Sequence, residues 1–184
     1  MTSLAVTPKP LADPGMPQLA EALDASVISA HLRTLSGAEV ISVTLRRHKP
    51  GRRALVEYIV RRPNGGEDVW LAKVRAKGLD RRTYELHRAL RGCGFDDRTA
   101  APVAVPRPVG IVETLAMWLQ EKVPGEGIDH AIAHLSPHAY AARISGAIHA
   151  LHHATVCPER EHSTFDELAI LQDRLTRRLS AGLV

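Results

Sequence analysis

Two alternating runs joined by Pro50-Gly51 constrain this chain more than any other feature. Ile41, Val43 and Leu45 alternate with Ser42, Thr44 and Arg46, and after His48-Lys49-Pro50-Gly51 the chain alternates again through Ala54, Val56, Tyr58 and Val60. A period of two places one apolar set on one face of a strand. Proline presets the first central dihedral of a type II turn and glycine accepts the positive second one, so the two runs form a hairpin. A further turn at Pro63-Asn64-Gly65-Gly66 leads to a third run, Val69 to Arg75, which extends the hairpin to a three-stranded antiparallel meander.

Helical spacing brackets the meander. Leu19, Leu23, Val27 or Ile28, Leu32 and Leu35 predict one helix from Pro17 to Gly37. Asp80 caps a helix over 81 to 91 that Gly92 ends. Two more strand-like runs, 106 to 112 and 115 to 123, complete a sheet of five strands with a helix inserted after the third. Pro124-Gly125-Glu126-Gly127 reads as a linker, followed by a short helix near 129 to 135, one opened by Ser136-Pro137 and reaching about His153, and one capped by Thr164 with Glu167 three residues on. Residues 1–16, with three prolines and no period, read as a flexible leader. The expected organisation is therefore a leader (1–16), an α+β unit (17–123) and a linker with helices (124–184).

One side chain in the third run sets the functional question. Lys73 shares a strand face with Val69 and Leu71, whereas Trp70, Ala72 and Val74 fill the other. Either the strand is ending and the lysine stem runs along apolar surface to reach water, or its ammonium faces a cleft and holds an anion. Charge is also unevenly distributed: residues 46 to 91 hold fourteen Lys/Arg against five Asp/Glu, a net of +9 in a chain whose total is +4. A basic lobe attracts phosphates, although an arginine-rich solvated surface has the same composition. Two cysteines without CxxC spacing imply a reducing, cytoplasmic setting, and no apolar run approaches the length of a membrane span.

Four stretches resemble the N-terminal part of the protein-kinase-like phosphotransferases, in detail the aminoglycoside phosphotransferase and choline kinase group. They are ArgArgHisLysProGlyArgArgAlaLeuValGluTyr (46 to 58), LeuAlaLysVal (71 to 74), ThrTyrGluLeuHisArgAlaLeu (83 to 90) and TrpLeuGlnGluLysValProGly (118 to 125); IleHisAlaLeuHis (148 to 152) is similar to the helix before that family's catalytic loop. The resemblance implies a kinase-like N-lobe followed by the first helices of a truncated C-terminal lobe, with ATP as ligand. Lys73 would pair with the phosphates, and Glu85 would orient Lys73. Lys49, Gly51 and Arg52 would cover the phosphates, and Gln120, Glu121 and Val123 would lie against adenine. Arg82 and Arg88, each within one helical turn of Glu85, compete with Lys73 for that carboxylate.

The family's chemistry also needs an Asp beside the acceptor hydroxyl and further Asp and Asn residues for Mg2+. None of the ten histidines is followed two residues later by Asp, and neither DFG nor D-x-D occurs. The resemblance thus implies nucleotide binding without catalysis by this chain alone, Mg2+ entering only with a complementary chain that supplies the C-lobe. The rival reading is a non-catalytic basic adaptor for nucleic acid or an acidic protein. Nucleic acid fits poorly, because the arginine pairs are spread over strands and aromatics are 4% of residues. The histidines at 130, 134 and 138 and at 149, 152 and 153 have helical metal spacing, but Pro137 interrupts the first set and neither has the glutamate of HExxH.

Overall fold

A computed structural model describes residues 13–96, 103–125, 127, 130, 135–156 and 163–181. The chain is α+β. Helices α1 (Gln18–Leu23) and α2 (Ala25–Ser36) precede the meander β1 (Glu39–Lys49), β2 (Arg53–Arg61) and β3 (Glu67–Arg75). Helix α3 (Arg81–Gly92), strands β4 (Pro108–Val112) and β5 (Met117–Glu121), and helices α4 (Pro137–His152) and α5 (Thr164–Ala181) follow. The five strands form one antiparallel sheet in the order β1-β2-β3-β5-β4.

Both turns of the meander follow from their glycines. Gly51 sits at φ 62° and Gly65 at φ 85°, in the left-handed region that a side chain disfavours. The Arg52 N–H closes the first turn on the Lys49 carbonyl at 3.0 Å, and the Gly65 N–H closes the second on the Arg62 carbonyl at 2.9 Å.

The first helix divides where one was expected from Pro17 to Gly37. Asp24 is extended, and its carboxylate accepts from the N–H groups of Ser26 (2.8 Å) and Val27 (3.3 Å), so a new helix starts there. Gly37, at φ 74°, ends α2 as expected. Asp80 caps α3 by accepting from Thr83 N–H at 3.2 Å. The cap of α5 lies one residue before the expected Thr164, in a reciprocal pair between Ser163 and Asp166. Of the short helix expected near 129 to 135, only His130 and Leu135 lie within the described residues.

The core fills one side of the sheet. Trp70, Ala72 and Val74 of β3, Val56, Tyr58 and Val60 of β2, and Met117 and Leu119 of β5 pack against Leu19, Ala22, Ile28 and Leu32 of α1 and α2. Each is buried, and a set of this size stabilises the unit by removing apolar surface from water, about 25 cal/mol for each Å². The Tyr58 hydroxyl donates to the Ala22 carbonyl at 2.7 Å, which fixes α1 on β2, and burial raises its pKa. Met16 is fully buried in the same core and Asp13 is 8% exposed, so residues 13 to 16 of the expected leader are part of the folded unit. Residues 1 to 12 lie outside the described residues.

Helices α4 and α5 differ from the rest in burying little. Ile148 and Leu151 on α4, and Phe165, Leu168, Leu171, Leu175 and Leu179 on α5, are exposed apolar side chains. Among the described residues no helix is long and apolar enough to cross a membrane.

Candidate functional site

The sheet register places Lys73 opposite Leu55 on β2 and opposite Trp118 on β5, so its side chain leaves the sheet on the side away from the core. Glu57, Ile59, Val69, Leu71, Trp118, Gln120 and Lys122 belong to this second face. Its apolar members on β2 and β3 are half-buried, in contrast to the closed face of Trp70, Ala72 and Val74. Val69 and Leu71 thus mark the open side of the sheet, and Lys73 with them.

Helix α3 covers one end of that open side. Tyr84 and His87 stand edge-on to Trp118, with ring centroids 6.0 and 5.1 Å away. The Lys73 ammonium lies over the same indole, 4.3 Å from its centroid, in cation–π geometry. Lys73 forms no ion pair among the described residues, while its neighbours Arg75 and Asp80 pair with each other at 2.6 Å. Burial pushes the lysine below its ordinary pKa, the Arg75 charge adds to that shift, and Asp80 opposes it. A desolvated cation whose main contact is an aromatic face gains from any anion that reaches it.

The expected partner is elsewhere. Glu85 is exposed and accepts from Arg88 Nη1 at 3.1 Å, one turn along the helix. Helical geometry explains this: Tyr84 and His87 turn α3 toward the sheet, and Glu85 and Arg88 share the outer face. The competing partner on its own helix therefore holds this carboxylate, and the carboxylate that acts on Lys73 is Asp80, which the sequence marked only as a cap.

The hairpin turn is also differently engaged than expected. The Gly51 N–H donates to the Asp13 carboxylate, at 2.9 Å to Oδ2 and 3.2 Å to Oδ1, and the Arg52 N–H donates to Lys49. Neither is open to a phosphate in this conformation. The side chains of Lys49 and Arg52 are exposed.

At the other end of the open face, β5 is paired on both sides. The Glu121 N–H donates to the Arg107 carbonyl and the Lys122 N–H to the Val69 carbonyl, each at 2.8 Å, so this stretch is not an open edge for adenine. The Glu121 carboxylate pairs with Arg62 at 2.8 Å and with Arg107. Val123, just beyond, is 50% exposed.

Gln120 is 6% exposed, and among the described residues its Oε1 has no hydrogen-bond partner; Trp118 Nε1 is likewise buried and unpartnered among them. Two such atoms on one short strand are unusual in a native fold. On the same face, across Leu71 from Gln120, the buried Glu57 carboxylate is held between Arg46 at 2.5 Å and Lys122 at 2.9 Å, and the hydrogen bonds and charges of those two cations keep its pKa below the ordinary value against burial, which raises it.

Sequence reasoning missed Trp118 as the seat of the lysine, because strand order β3-β5 brings together residues 45 positions apart. It also missed His87, whose helical phase toward the sheet was readable from Tyr84. Among the described residues no three His, Cys, Asp or Glu side chains are placed to hold a metal ion. Comparison with protein-family models, with curated proteins and with solved structures finds no match to this chain.

Proposed function

We propose that the open face of the sheet is the nucleotide-binding surface of a kinase-like phosphotransferase of small molecules. The observation that carries this reading is the half-buried Lys73 ammonium, seated on Trp118 with no ion-paired carboxylate among the described residues. A polyphosphate would supply the missing countercharge, and the lysine would meet it as a compact point charge. The buried Gln120 acceptor would meet an exocyclic amine such as that of adenine once its side chain turns outward, with Val123 offering exposed apolar surface beyond it. Glu85 joins the site only if it leaves Arg88. The acceptor-activating Asp and the Mg2+ ligands would come from a complementary chain or lobe, so this chain binds ATP and does not turn it over by itself.

The test is thermal denaturation with ATP and, separately, with a DNA duplex. The reading expects ATP to raise the melting temperature of the wild type and to leave Lys73→Ala unmoved. A chain stabilised by duplex and indifferent to ATP would instead be the basic adaptor.

A further inference from the structure

Helix α5 is amphipathic without a core to face. Its 18 residues span about 27 Å, and Phe165, Leu168, Leu171, Leu175 and Leu179, spaced by three and four, form one stripe along it. All five are between 50% and 82% exposed. A surface helix owes most of its stability to packing such a stripe, and a contiguous exposed apolar patch marks an interaction surface.

Two properties of the helix say what covers the stripe. The first is symmetry. Phe165 and Leu179 lie seven residues either side of Gln172, and Leu168 and Leu175 lie four before it and three after it. A second copy laid antiparallel therefore sets Phe165 against Leu179 and Leu168 against Leu175 about a twofold axis near Gln172, the self-matching arrangement that an isologous interface requires. The second property is charge. Helical phase places Glu167, Arg174 and Arg178, seven and four residues apart, along one edge of the stripe, and the sign along that edge changes from the N-terminal to the C-terminal end. A parallel pair would set Glu167 against Glu167 and Arg178 against Arg178, whereas an antiparallel pair sets Glu167 of each copy against Arg178 of the other. Opposed helix dipoles favour the same direction. On the far side of the helix, Asp173 and Arg177 pair with each other at 2.7 Å within one chain.

We infer that α5 is a homodimerisation helix, pairing antiparallel with α5 of a second copy of this chain through the stripe from Phe165 to Leu179, with one Glu167–Arg178 contact at each end. The inference does not rest on the nucleotide reading, since it concerns another element and its outcome does not depend on ATP.

Sedimentation velocity of the full chain at low salt, over concentrations up to about 100 μM, the range in which weak interfaces associate, decides the point. Wild type is expected to move with rising concentration toward twice the 20.1 kDa of one chain. Leu175→Glu, which puts a carboxylate into the stripe, is expected to stay monomeric. Glu167→Arg and Arg178→Glu, each alone, replace both end contacts by like charges and are expected to weaken the dimer about tenfold, while an equimolar mixture of the two recovers wild-type affinity, because each copy then meets its complement. Should Leu175→Glu lose the circular dichroism of wild type, the two charge variants and their mixture decide alone. A wild type that stays monomeric throughout, as it would if the stripe belonged to a different partner, overturns the inference. So does a dimer that Leu175→Glu leaves intact, or one in which the mixture is no tighter than the single variants.

Discussion

Lys73 and Trp118 face each other across β3 and β5, and the ammonium rests 4.3 Å from the centre of the indole. The aromatic face compensates only part of what the lysine loses on leaving water, which is why its pKa is lowered chiefly by burial.

A stability cost follows, with a defined sign. Lys73 has a lower pKa folded than unfolded, so between the folded value and the ordinary 10.5 the unfolded chain binds more protons and stability rises with pH. Below that window the cost is fully present. Lys73→Met, which keeps the stem and removes the charge, is expected to be more stable than wild type at neutral pH, and the gap is expected to narrow as pH climbs toward 10.5. Urea denaturation of both proteins across that range checks this; a methionine variant less stable at neutral pH refutes it.

His87 makes the acid-side counterpart. Burial lowers its pKa first, the Lys73 charge adds, and a hydrogen bond to the Pro106 carbonyl opposes. On acidification below the ordinary 6.5, the unfolded chain takes up this proton before the folded one, so native stability falls there. His87→Gln is expected to lose less stability than wild type between about pH 7 and pH 5, the range in which histidine titrates. Parallel curves for the two proteins would show that the imidazole is not held neutral.

Gly110 and Leu35 form a test of packing remote from the lysine. A Cβ on Gly110 would lie 2.5 Å from Leu35 Cδ2 and 2.7 Å from Cδ1, with α2 pressed on β4 at that point. Gly110→Ala is expected to cost about 1–3 kcal/mol, the usual range for overpacking. Leu35 is 37% exposed, so its own truncation is mild, and adding Leu35→Ala should recover most of the loss. Strictly additive losses in a double-mutant cycle would deny the contact.

How much of this was legible in the letters varies with the range of the interaction involved. Pro50-Gly51, the alternation around Tyr58 and the Asp80 cap act over a few residues, and each yields the expected element. Asp24 breaks the first helix by the same local capping chemistry, but the apolar spacing from Leu19 to Leu35 runs across it and conceals the break. Alternation in β3 separated Lys73 from Trp70 correctly; which face would be closed depended on α1 and α2, whose packing side the strand cannot report. Asp13 meets Gly51 over 38 positions, and only the folded chain shows a carboxylate on the turn that was expected to receive phosphate. Glu85 failed for a geometric reason, being on the outer face of α3 beside Arg88.

Whether Lys73 holds a polyphosphate is answered by the affinity of ATP for the purified chain, measured calorimetrically in wild type and in Lys73→Ala at two salt concentrations. Saturable binding is expected, weakening with salt and falling at least about tenfold in Lys73→Ala, the scale for loss of a charge-assisted phosphate contact. Equal affinity in the two proteins, or no binding in either, would refute the assignment.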